Sequence, residues 1–189
     1  VSAGCTTPTT GSIGNAQTIC SGGHPAAISN SDDGGATTFE WQQSDNNVDW
    51  STIGSANSST YDPPSGLTAD RWYKRRGDDG CGNWSSYTSA IKVTVSALPT
   101  VSASSSGSRC GTGTVDIQAT ASAGSIDWYA ASSGGSALDN SSSGVNWTTS
   151  SISATTTYYA EANDGTCTSA ARTAVTATVN TQPTITGST

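Results

Sequence analysis

Apolar and polar residues alternate one by one in the periodic stretches of this chain, and no stretch repeats at helical spacing. Residues 37–43 (TTFEWQQ) place Phe39, Trp41 and Gln43 on one side and Glu40 and Gln42 on the other. Residues 125–130 (SIDWYA) do the same with Ile126, Trp128 and Ala130, and residues 115–121 with Val115, Ile117, Ala119 and Ala121. Two β-branched runs, AIKVTV at 90–95 and AVTATV at 174–179, have the same period. The pattern predicts antiparallel strands with one face on a core and one in water. Clusters of Asp, Asn, Gly, Pro and Ser fall between the runs, at 31–36, 44–47, 62–66, 77–80, 132–135 and 163–166, and predict turns. Short strands separated this regularly predict an all-β chain built as a β-sandwich.

The pattern occurs twice. Cys20, Trp41, Tyr73 and Cys81 recur in order as Cys110, Trp128, Tyr158 and Cys167, with gaps of 21, 32 and 8 residues against 18, 30 and 9. The predicted organisation is therefore two tandem immunoglobulin-like sandwiches at 10–97 and 98–181, preceded by a linker at 1–9 and followed by the start of another at 182–189. Pro8, Pro99 and Pro183 mark those linkers and are expected to limit bending there. The core anchors are predicted to be Trp41, Tyr73, Trp128 and Tyr158. Each Trp lies about twenty residues after a Cys, where the central Trp of an immunoglobulin-type third strand stands. Each Tyr, at the start of a late strand, is a candidate tyrosine corner.

Composition makes those anchors necessary. Apolar residues are 33% of the chain, with no Met, one Phe and six each of Trp and Tyr. So thin a core calls for covalent ties. The repeat spacing predicts disulfides 20–81 and 110–167, each linking an early strand to the final hairpin. Loops of that length are worth about 4 kcal/mol in chain entropy. Cys5 is left over, as an unpaired thiol or as a partner for material before Val1. The string SAGC is also read against a lipidation signal, but no apolar run precedes it.

A net charge of −7 argues against nucleic-acid partners and against insertion into an anionic membrane. No catalytic constellation and no cofactor site is expected. His24, the one histidine, stands in a turn-like loop without a nucleophile motif. Asp45, Asn47 and Asp49 suggest a calcium loop, but Trp50 and Ala56 occupy the places where Gly and Glu would be needed, so a turn is the better reading. Basic residues gather at Arg71, Lys74, Arg75 and Arg76, with Trp72 and Trp84 nearby. Trp72, Lys74, Arg75, Arg76 and Trp84 are thus candidate contacts for a glycan. Strict alternation points Arg75 inward with Tyr73, unless the strand bulges or the side chain turns outward. Arg76, Gly77 and Asp78 spell an integrin-type tripeptide at a predicted hairpin tip. Trp50, Trp84 and Trp147 are read as lids over the sandwich ends in preference to exposed platforms.

The segments TICSGGHPAAIS, FEWQQSDNNVDW and STYDPP, with ATTTYYAEANDGTC in the second copy, resemble the immunoglobulin-like repeats of large secreted surface proteins of Bacteroidota, of the gliding-motility adhesin type. The resemblance runs from about Gly11 to Asn180. It implies export by the type IX route, display at the bacterial cell surface as long filaments, and a role in adhesion without catalysis. The partners it implies are neighbouring repeats of the same chain, and surface polysaccharide or substratum. A carbohydrate-binding or accessory module of a secreted polysaccharide-degrading enzyme is the alternative.

Overall fold

Strand alternation decides the architecture, and the computed structural model describes residues 4–184. Among these every regular element is a β-strand. The chain divides between Ala97 and Leu98 into two compact units.

Unit 1 contains β1 (Ser12–Gly14), β2 (Gln17–Cys20), β3 (Ser29–Asp32), β4 (Thr38–Ser44), β5 (Ser51–Thr52), β6 (Arg71–Asp78) and β7 (Ile91–Ser96). Its larger sheet has the order β2-β7-β6-β4-β5, and β1 pairs with β3 in the smaller one. An isolated bridge between Ile28 and Tyr61 extends that smaller layer. Unit 2 contains β8 (Val101–Ser105), β9 (Gly107–Cys110), β10 (Asp116–Ala121), β11 (Ser125–Tyr129), β12 (Asp139–Ser142), β13 (Asn146–Thr148), β14 (Thr156–Asn163) and β15 (Thr173–Asn180). Its sheets run β12-β11-β14-β15-β9 and β13-β10-β8. Both units are immunoglobulin-like sandwiches of two layers, antiparallel except for one parallel pair in each larger sheet.

In each unit the lead strand changes sheet. β1 lies on the small layer, and β2 then pairs in parallel with β7 on the large one; β8 and β9 repeat this against β10 and β15. Asn15 makes the change in unit 1 with φ 74°, a conformation Asn tolerates, and its side-chain amide donates to Ala27 O at 2.9 Å. In unit 2 the change falls at Gly107, where a Cβ would collide with the Asp116 carbonyl and the Val115 side chain.

The cores centre on one indole each. Trp41 and Trp128 are fully buried, and their N–H groups are satisfied by Ser58 O at 2.8 Å and Ser141 Oγ at 2.9 Å. Tyr61 packs between Trp41 and Tyr73, with ring centroids 5.6 and 5.5 Å away. Trp147 takes the same place in unit 2, stacked 5.0 Å from Trp128 and edge-on 5.0 Å from Tyr158. The lid reading of Trp147 is therefore corrected: the indole is a core element, and it donates to Asp139 Oδ2 at 3.0 Å. The tyrosine corner expected at Tyr73 is not formed. Its hydroxyl is buried without a hydrogen-bond partner among the described residues, and burial is the main cause that pushes its pKa up to about 12.

Arg75 follows the alternation without a bulge and without turning outward. It is 1% exposed and lies under the Phe39 ring, 4.4 Å from its centroid. Its guanidinium crosses from β6 to the opposite layer, where it donates to Asn30 Oδ1 at 2.7 Å, to Asp32 O at 2.8 Å and to Ser59 O. Burial holds its pKa below the ordinary arginine value, and Asp33 and Asp32 pull it back up. Uncharged acceptors thus hold a buried cation that joins the two sheets.

Arg75→Met keeps most of the volume but leaves three acceptors unmatched. It is expected to lower the stability of the full chain by about 2–4 kcal/mol in urea unfolding. In the same experiment Tyr73→Phe, which removes an orphaned hydroxyl, should leave stability unchanged or raise it by about 1 kcal/mol. Equal losses in the two variants would contradict this assignment.

Candidate functional site

The pleat that sends Tyr73, Arg75 and Gly77 inward sends Trp72, Lys74 and Arg76 to the outer face of the large sheet of unit 1. β6 is the middle strand, so its outward side chains have neighbours on both sides. Across β4 it faces Ser44, Gln42 and Glu40, opposite Trp72, Lys74 and Arg76 respectively. On the other side runs the segment 84–88, held by the Ser85 and Thr88 amides on the Gly77 and Arg75 carbonyls, each at 2.8 Å.

A row of alternating rings and cations results. The Lys74 ammonium lies 4.0 Å from the Trp50 ring centroid and 4.6 Å from that of Tyr87. The Arg76 guanidinium lies 5.0 Å from Tyr87 and 4.7 Å from Trp84. Glu40 accepts from Arg76 Nε at 3.0 Å and from the Tyr87 hydroxyl, and these contacts, the tyrosine first, hold its carboxyl below the usual range. Burial and the Glu40 contact push the Tyr87 hydroxyl up to about 12. Trp72 lies under Lys92, 5.0 Å from its ammonium, and Lys92 pairs with Asp70 at 2.6 Å.

Of the five candidate glycan contacts, Trp72, Lys74, Arg76 and Trp84 share this outer face, and Arg75 belongs to the core. Trp84 is 37% exposed and Trp50 is half-buried beside Lys74, so both belong to the open face and not to the sandwich ends. The sequence reading missed Tyr87 and Glu40. The apolar-polar period breaks in the irregular stretch 84–88, and only pairing with β6 brings Tyr87 onto the face.

The equivalent face of unit 2 is internally closed. Arg172 lies 3.2 Å from the Tyr129 ring centroid and 3.5 Å from Glu161, and it donates to Ala131 O and Gly134 O at 2.9 and 2.7 Å.

The cysteines depart from the expected pattern. Cys81 is bonded to Cys5, and Cys110 is a free, exposed thiol, so neither 20–81 nor 110–167 forms. The reason is strand direction. Cys20 ends β2 beside Ser96, at the end of β7. β6 runs antiparallel to β7, with Arg71 opposite Val93, so Cys81 lies beyond the far end of β6. The two sites are separated by about ten strand residues, or about 30 Å, against the Cα spacing of about 6 Å that a disulfide needs. Unit 2 repeats the geometry: Cys110 is opposite Asn180 at the end of β15, and Cys167 follows the far end of β14. Cys5 reaches Cys81 because the entering chain passes the β3–β4 turn, where Thr9 N donates to Gly34 O at 3.0 Å. The carboxylate of Asp79 lies beside the Cys5 and Cys81 sulfurs, but bonded sulfurs are not thiolate ligands and the group is a turn. The amide of Cys81, which donates to Asp79 Oδ1 at 2.9 Å, is the main cause of the low pKa of this carboxyl.

The remaining candidates are local structure. His24 is exposed on its loop, 3.5 Å from Asp62. Asn46 Oδ1 accepts from the Val48 and Asp49 amides at 2.8 and 2.9 Å, and Asp45 pairs with Arg71 at 2.9 Å, which makes 44–49 a turn. The tripeptide at Arg76 is not at a hairpin tip as expected. It lies within β6, with Gly77 and Asp78 buried.

The two layers, the lead strand that switches sheets and the buried indole on β4 and on β11 define an immunoglobulin-like repeat. Residues 97–181 match the family described as Ig-like domain CHU_C associated, and residues 9–97 match a domain of unknown function, DUF8696. No curated protein matches. Solved structures similar to the chain include the fibronectin(III)-like modules of CbhA from Clostridium thermocellum, at 13% identity and TM-score 0.41, covering 94% of each chain. The FN1-FN3 domains of chicken CNTN1 are 8% identical with TM-score 0.31, over 92% of this chain and 67% of that one. The N-terminal four Ig domains of Dscam1 isoform 8.4 are also 8% identical, with TM-score 0.34, over 95% of this chain and 48% of that one.

Non-reducing peptide mapping should recover a linked Cys5–Cys81 peptide. A maleimide applied to the folded protein should label the Cys110 peptide and spare those bearing Cys5 and Cys81. Recovery of a 20–81 or a 110–167 link would contradict the strand directions given above.

Proposed function

We propose that this chain is a structural repeat segment of a secreted bacterial cell-surface adhesin filament, without catalysis of its own, whose work is reach and adhesion. The observation that carries this reading is the tandem repetition of one immunoglobulin-like plan, down to a chain of three rings in each core, Trp41–Tyr61–Tyr73 and Trp128–Trp147–Tyr158. Repetition of a small sandwich adds length and surface while each copy keeps its own core. The Cys5–Cys81 bond favours an oxidising compartment outside the cytoplasm. It closes a loop of 76 residues, worth about 4 kcal/mol in chain entropy, which suits a thin-cored module outside the cell. The resemblance to gliding-motility adhesins supports display by the type IX route. Neighbouring copies in the same chain would be its permanent partners.

Antibody raised against the two units should decorate filaments on intact cells of the producing organism, and in-frame deletion of the gene should impair attachment and gliding on glass. A signal that appears only after lysis would overturn surface display. Unchanged attachment and gliding in the deletion strain would overturn adhesion.

A further inference from the structure

Six of the seven basic residues of the chain have an oxygen partner. Arg71, Arg76, Lys92 and Arg172 meet carboxylates, and Arg75 and Arg109 donate to carbonyl oxygens. Lys74 is the exception. Among the described residues it has neither a carboxylate nor a hydrogen-bond acceptor, only the rings of Trp50 and Tyr87. Half-burial against those rings pushes its pKa down, because the ammonium has lost water without gaining an anion. Two residues along the same strand face, about 7 Å away, Arg76 gives Nε to Glu40 and lies over the partly exposed indole of Trp84. The face thus offers one uncompensated ammonium, a guanidinium beside it and an open aromatic surface.

This set selects among ligand classes. A nucleic acid carries a phosphate on every residue and would need several unmatched cations, whereas this face has one. An added peptide strand would need a sheet edge, whereas β6 is central. A sugar ring has an apolar face that stacks on an indole, and an acidic sugar adds an isolated anion. We propose that the outer face of β6 binds an anionic polysaccharide, whose carboxylate or sulfate pairs with Lys74 and Arg76 while a ring stacks on Trp84. The closed Arg172–Glu161–Tyr129 group leaves unit 2 without such a site. This inference is independent of the filament reading, since a module of any secreted protein could carry the face.

The test is equilibrium binding of the full chain to immobilised polygalacturonate, dextran sulfate and uncharged dextran. Binding to an anionic polymer and not to dextran is expected, weakening as salt rises. Lys74→Gln and Trp84→Ala should each weaken it about tenfold, and Lys74→Arg should retain most of it. Both positions lie on the outer face, and thermal unfolding close to that of the wild type confirms that the variants fold. Binding to polygalacturonate alone identifies carboxylate as the anion, and binding to dextran sulfate alone identifies sulfate. Absence of binding to both anionic polymers, equal binding to dextran, or variants that bind like the wild type would each overturn the proposal.

Discussion

Two sheets pack about 10 Å apart, and in a chain this poor in Leu, Phe and Met few side chains can fill that gap. A fully buried indole, Trp41 or Trp128, does so at the centre of each unit, and the rest of each core is arranged around it. Trp41 and Trp128 stand at equivalent points, and a second ring from an irregular or short strand on the opposite layer closes over each. The two units then differ in how they fill the remaining space. Unit 2 uses the large indole of Trp147 in a core otherwise rich in small residues, Ala119, Ala121, Ala160, Ala162 and Ala177. Unit 1 uses the smaller ring of Tyr61, and the guanidinium of Arg75 stands where unit 2 has Ala160.

The cost of the unit 1 solution is desolvation of a cation. It is offset by geometry that a hydrocarbon cannot supply. The planar guanidinium reaches Asn30, Asp32 and Ser59 at once, so the position of β3 relative to β6 is fixed by directed bonds. The aliphatic stem and the flat face against Phe39 contribute dispersion as any core residue would. In unit 2 close packing of small residues around two indoles sets the same relation between sheets.

What the sequence discloses about such a fold is parity, and parity answers some questions and not others. Alternation separates inward from outward residues, so the strands, the two central Trp residues and the inward aim of Arg75 are legible from residue order. It does not say at which end of the sandwich a residue falls. Cys20 and Cys81 lie as far apart in the chain as an intersheet disulfide requires, yet strand direction puts them at opposite ends. The spacing from Cys20 to Trp41 misleads for the same reason: Cys20 ends the lead strand, not the strand before Trp41. Tyr61 was missed because STYDPP has no period and reads as a turn. Its signal was Trp147, which occupies the corresponding interval of the second copy. Tyr87 and Glu40 became neighbours of the basic strand only through pairing, which no local pattern encodes.

Three consecutive residues of β6 show how one pleat divides structural from surface chemistry. Lys74 and Arg76 flank Arg75, and all three carry the same charge. The inward one is held by fixed acceptors across the core, so its surroundings can vary little without loss of stability. The outward two meet rings and, in one case, a carboxylate, with water on the remaining side. Changes there leave the core intact, since neither Trp41 nor Tyr73 depends on them. A tandem repeat can therefore keep its sandwich and let this face diverge. The open Lys74 of unit 1 and the closed Arg172 of unit 2 are two outcomes of that freedom on equivalent sheets.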